Sequence, residues 1–96
     1  MKIKISEIDS ALTLLLKKLK ENIGDEITIS NDYYWEISPD EIYDPYKEPE
    51  NFTLGQLSDD MQEIRRLQNS KDVIAYDLNR VSRILKAISI ENQTSL

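Results

Sequence analysis

Glu26-Ile27-Thr28-Ile29-Ser30-Asn31-Asp32-Tyr33-Tyr34-Trp35-Glu36-Ile37 is the stretch on which the fold turns. β-branched and aromatic residues flank a short polar break, Asn31-Asp32, that suits a turn. The pattern predicts a β-hairpin of Glu26–Ser30 with Tyr33–Ile37. A period of two puts Tyr33, Trp35 and Ile37 on one face, predicted to lie against helices with Trp35 mostly buried. Tyr34 and Glu36 then point the other way.

On the N-terminal side a helix is predicted from about Glu7 to Asn22. Ile8, Leu12, Leu15 and Leu19 recur at steps of four, three and four, which defines one apolar face. Leu14 and Leu16 widen that stripe, so the helix has room for more than one neighbour. Ser6 stands at the N-cap position, and Gly24 is placed to end the helix with the backbone freedom other residues lack.

On the C-terminal side residues 38 to 52 hold all three prolines, Pro39, Pro45 and Pro49, which block a helix interior or a central strand. An irregular loop is predicted, tied down through Tyr43, Tyr46 and Phe52. A second helix is expected from Thr53, because Thr53-Leu54-Gly55-Gln56 has capping-box spacing. Ser58-Asp59-Asp60 is a competing start, favoured by the cost of Gly55 inside a helix. A third helix carries Ile74, Leu78, Val81, Leu85 and Ile88 and starts between Lys71 and Asp77. Residues 91 to 96 are expected to fray.

A two-stranded hairpin is marginal alone and needs cover. The expectation is therefore a small α+β single domain spanning 1–96, ordered helix, hairpin, long loop, helix, helix, with the helices packed on the hairpin.

Charge divides the chain. Residues 1 to 20 hold five lysines against Glu7 and Asp9, whereas residues 21 to 50 hold ten acids against Lys47. The net charge of −6 thus belongs to the hairpin and loop, interleaved with four of the five tyrosines and the single tryptophan. Tyr and Trp are enriched at binding hot spots, and surrounding acids steer a basic partner. Asp32, Tyr34, Glu36, Asp40, Glu41, Tyr43, Asp44 and Tyr46 form the candidate partner-binding surface. The alternative is that the acids only solvate a small domain while the tyrosines anchor the loop.

Other functions are disfavoured by composition. An acidic chain lacks the basic surface that phosphate backbones or anionic lipids require, so neither nucleic acid nor membrane is expected as a partner. The chain has no cysteine and no histidine. Disulfides, thiolate nucleophiles and cysteine-ligated zinc are thereby removed, and so is the residue whose charge changes most easily near neutral pH. The missing disulfides, and an N-terminus without the apolar core of a signal peptide, point to the cytoplasm. Two distant glycines build no phosphate loop, and the adjacent pairs Asp40/Glu41 and Asp59/Asp60 are weak grounds for acid–base catalysis. Asp40, Asp44 and Glu48 lack calcium-loop spacing. No catalytic residue, metal site or cofactor is expected, and the chain is read as non-enzymatic.

Tyr33-Tyr34-Trp35-Glu36-Ile37, Glu48-Pro49 and Thr53-Leu54-Gly55-Gln56-Leu57-Ser58-Asp59-Asp60 together resemble a group of short, uncharacterised acidic bacterial proteins. The resemblance covers the middle third of the chain. It implies a cytoplasmic, non-enzymatic protein and carries no site residues. A looser likeness in composition is to immunity proteins, small acidic inhibitors of bacterial nuclease toxins, some of which present paired tyrosines among acids. Flanking motifs and segment order differ from the colicin-type members. The chain is thus expected to bind a basic, toxin-like protein. The alternative is a structural or regulatory protein, with a homodimer as one form of it.

Overall fold

A computed structural model describes residues 1–92 and gives an α+β fold: a helix, a two-stranded antiparallel hairpin, then two helices. The chain divides into two compact units. Met1–Thr28 with Asn92 is one, and Ile29–Glu91 is the other.

The first unit is helix α1, Ile5–Ile23. Its first turn closes on the Lys4 carbonyl, which accepts from the backbone N–H of Glu7 at 3.1 Å. Ser6 therefore lies inside the helix, not at its cap. The helix ends as expected at Gly24, whose φ of 99° is a conformation that a Cβ disfavours. The stripe Ile5, Ile8, Leu12 and Leu15 is exposed, and Leu19 is half-buried.

In the second unit strand β1, Tyr33–Ile37, forms where predicted, but its partner does not. Residues 26–30 adopt no strand. Strand β2 is Phe52–Gln56, paired as Tyr33↔Gln56, Tyr34↔Gly55, Trp35↔Leu54, Glu36↔Thr53 and Ile37↔Phe52. The proline-rich segment is thus the loop of the hairpin. The residues that resembled a capping box are strand.

Helix α2, Leu57–Arg65, begins one residue before the alternative start at Ser58. Its cap is supplied from β1's side of the hairpin. The Asp32 carbonyl accepts from the Leu57 N–H at 2.8 Å. The Asp32 carboxylate accepts from the Ser58 N–H at 2.7 Å and from the Ser58 hydroxyl at 2.8 Å. An anion is favourable at a helix N-terminus, where N–H groups lack partners. A turn of 3₁₀ helix at Leu67–Asn69 leads to helix α3, Ile74–Glu91, which starts inside the predicted window. Asp77 sits in its first turn, accepting from the Ser70 hydroxyl and pairing with Arg80 at 2.8 Å. The expected fraying from residue 91 falls mostly outside the described residues; Glu91 itself closes α3.

The apolar interior is slight. Leu57 is the one buried apolar side chain among the described residues. Met61, Ile64, Val81, Ile84, Leu85 and Ile88 are half-buried where α2 and α3 meet. Ile74 and Leu78, at the start of α3, are exposed.

Candidate functional site: the two faces of the hairpin

Because side chains alternate along a strand, β1 and β2 present a four-position face and a six-position face with opposite fates. One carries Tyr34, Glu36, Gly55 and Thr53 and meets the helices. The other carries Tyr33, Trp35, Ile37, Phe52, Leu54 and Gln56.

The helix-facing side is organised around Arg83 of α3. Its guanidinium is bidentate on Glu36: Nε donates to Oε1 at 3.1 Å and Nη2 to Oε2. Nη1 reaches the Asp60 carboxylate at 3.1 Å. Asp60, buried in the first turn of α2, also accepts from the Tyr34 hydroxyl at 2.7 Å. The Arg83 carbon stands 5.4 Å from the centre of the Tyr34 ring, within cation–π range. One cation thus bridges a strand carboxylate and a helix carboxylate. Hydrogen bonding to Glu36 raises the Arg83 pKa still further. Burial, reinforced by the bond to Asp60, pushes the Tyr34 hydroxyl above its ordinary value.

Gly55 is what lets Tyr34 lie flat. A Cβ at this position would overlap the Tyr34 ring, which covers the glycine across the strands. Close approach of a ring is a recurring reason for glycine inside a strand.

The other face is open. Tyr33 is 61% exposed, Trp35 71%, Leu54 59% and Phe52 51%. The expectation that Trp35 is buried against helices is overturned. Its alternation with Tyr33 and Ile37 holds, but α2 and α3 lie on the opposite side. A groove of about 520 Å³ is lined by β1 residues of both faces, Tyr33, Tyr34, Trp35 and Glu36, and its helical wall includes Arg83, Ala87 and Ile90 of α3. The segment before β1 is fastened to the end of α3 by the Ser30 hydroxyl, which donates to Glu91. In the ladder the N–H and C=O groups of Tyr33, Trp35 and Ile37 point away from β2, since the alternating residues Asp32 and Ser38 make the cross-strand bonds.

Of the eight predicted partner-binding residues, four are engaged within the fold and four are exposed. Asp32 caps α2, and Tyr34 and Glu36 bind Asp60 and Arg83. Glu41 is buried in the hairpin loop, where it accepts from the N–H of Glu50 at 2.7 Å and of Asn51 at 3.2 Å. These bonds, with that of the Asn51 amide, hold its carboxyl below the usual range. The other four are exposed. Asp40 accepts from the Ser38 hydroxyl, which lowers its pKa, and Asp44 accepts from the Tyr46 N–H at 3.0 Å. Tyr43 and Tyr46 project almost wholly into solvent; the loop is tied down by Glu41 instead.

Sequence reasoning missed Arg83, Asp60 and Gly55. Gly55 carried a signal: an interior glycine among β-formers, better read as a strand residue under a ring. Arg83 and Asp60 carried none, since each matches ordinary helix chemistry. No cluster of His, Cys, Asp or Glu that could hold a metal ion occurs among the described residues. No helix among them is long and apolar enough to cross a membrane. No protein-family model, no curated protein and no solved structure matches the chain.

Proposed function

We propose that this protein is a non-enzymatic binding module of immunity type that captures a basic, toxin-like protein through the open face of its hairpin. The observation that carries this reading is the uncovered Tyr33–Trp35–Phe52–Leu54 face beside a loop bearing exposed Tyr43, Tyr46, Asp40, Asp44 and Glu48. Large aromatic side chains held on a strand supply contact area at little entropic cost. The neighbouring acids speed encounter with a cationic surface and form a polar rim around an apolar centre. Tyr34, Glu36, Asp32 and Glu41 act in this reading from behind, by holding the hairpin and loop in shape.

The test is co-purification with the product of the adjacent reading frame, followed by titration at low and high salt. A complex that weakens as salt rises is the expected outcome. Trp35→Ala should weaken it by about 30-fold or more, the scale of a hot spot of about 2 kcal/mol. Absence of a complex at low salt, or a dissociation constant unmoved by Trp35→Ala, overturns the reading.

A further inference from the structure

We infer that the same open face is a self-interface, on which two copies of this chain pack sheet against sheet. Tyr33, Trp35, Ile37, Phe52, Leu54 and Gln56 are all uncharged at neutral pH, although the chain as a whole carries −6. The six strand positions of the patch therefore carry no charge of their own. Such a face can meet itself without opposing charges at the centre.

The area comes up to the threshold when the whole patch is covered. From the exposed fractions of Tyr33, Trp35, Phe52 and Leu54, and side-chain areas of up to about 250 Å² for aromatics, the patch presents at most roughly 550 Å² per copy, or about 1,100 Å² in a symmetric pair. A specific interface needs about 1,000 Å². The shape suits the contact, because twisted two-stranded sheets stack face to face and a two-fold axis makes one patch serve both sides. The pair Trp35–Leu54 lies at the middle of the register. Under that symmetry each copy places Trp35 and Leu54 over those of the second copy.

Charge makes this interface distinguishable from capture of a basic partner. Two acidic copies repel through their loops, so salt strengthens self-association, whereas salt weakens a complex between opposite charges. A second copy and a basic partner compete for this one face, so the inference goes beyond the partner proposal and does not depend on it.

The experiment is sedimentation equilibrium of the full chain from about 1 to about 500 µM, a window that brackets the micromolar dissociation constant expected of so small an interface. The expected result is a monomer–dimer equilibrium whose dissociation constant falls several-fold between low and high salt. Emission of Trp35, the only tryptophan, shifts to shorter wavelength as dimer forms. Trp35→Ser and, separately, Leu54→Ser return the chain to monomer with an unchanged circular dichroism spectrum. A monomer at every concentration and salt overturns the inference. So does a dimer that survives both substitutions, or one that salt dissociates.

Discussion

The two faces of the hairpin invert the usual distribution of polarity. The face against the helices holds a tyrosine hydroxyl and a carboxylate; the face away from them holds Tyr33, Trp35, Phe52 and Leu54. Burial of the polar face succeeds because each group finds a partner of matching geometry. Glu36 receives two guanidinium hydrogens, and Asp60 receives a third together with the Tyr34 hydroxyl. Buried polar groups are tolerated when they are satisfied, and costly when one member is removed. Exposed apolar groups cost no native contact, but they leave hydrophobic free energy available to whatever covers them. The inner face should therefore govern stability and the outer face association.

The sharpest way to break that contrast is Arg83→Ala. It leaves Glu36 and the buried Asp60 facing each other without a cation. The expected loss is about 3 kcal/mol, read as the shift in urea midpoint, with Arg83→Lys recovering only part because it cannot serve both carboxylates in fork geometry. A loss below about 0.5 kcal/mol, as for an ordinary surface substitution, would erase the distinction between the faces.

Gly55→Ala comes next, at about 2 kcal/mol, because its Cβ drives the Tyr34 ring off the strand and away from Asp60. In a Tyr34→Ala background the same substitution should be nearly neutral. Additive losses would show that the glycine serves something other than the ring.

These residues also mark where the sequence was legible. β1, the alternation of its faces, the position of α3 and the end of α1 at Gly24 follow from local pattern, and all are present. The pairing partner of β1 was not legible. Glu26–Ser30 has strand chemistry and a plausible turn after it, but Asp32 in that turn is engaged at the N-terminus of α2. Phe52–Gln56 wins because Gly55 accepts the Tyr34 ring, a fit visible only once the two strands lie side by side. The same distance problem inverted the faces. Hydrophobicity alone turns Trp35 inward, and nothing local announces that Arg83, 47 residues from Glu36, will make the polar face the buried one.

Tyr34→Phe probes a single bond of the inner face. It removes the hydroxyl from Asp60 and should cost about 1 kcal/mol at neutral pH. It should also alter the alkaline limb. The Tyr34 pKa is raised in the folded protein, so its contribution is fully present below the unfolded tyrosine value of about 10 and declines as pH rises past it. Denaturation followed between pH 8 and 12 should show a shallower alkaline loss in Tyr34→Phe than in the parent chain. Identical slopes would mean that the hydroxyl is not held neutral by the fold.

The smallest expected effect is the most diagnostic of the outer face. Trp35→Thr removes the largest side chain of the molecule from a position where most of its surface meets solvent. A buried tryptophan costs about 3–5 kcal/mol on truncation. Here the change should stay within about 0.5 kcal/mol, with threonine keeping the strand propensity of the site. The measurement belongs at low micromolar concentration. Any species that buries Trp35 stabilises the folded chain by mass action and lends the residue an apparent contribution that grows with protein concentration. A concentration-independent loss of several kcal/mol would place Trp35 in the core of the single chain and make the outer face a second interior. A loss near zero when dilute that rises with concentration would assign its hydrophobic free energy to association.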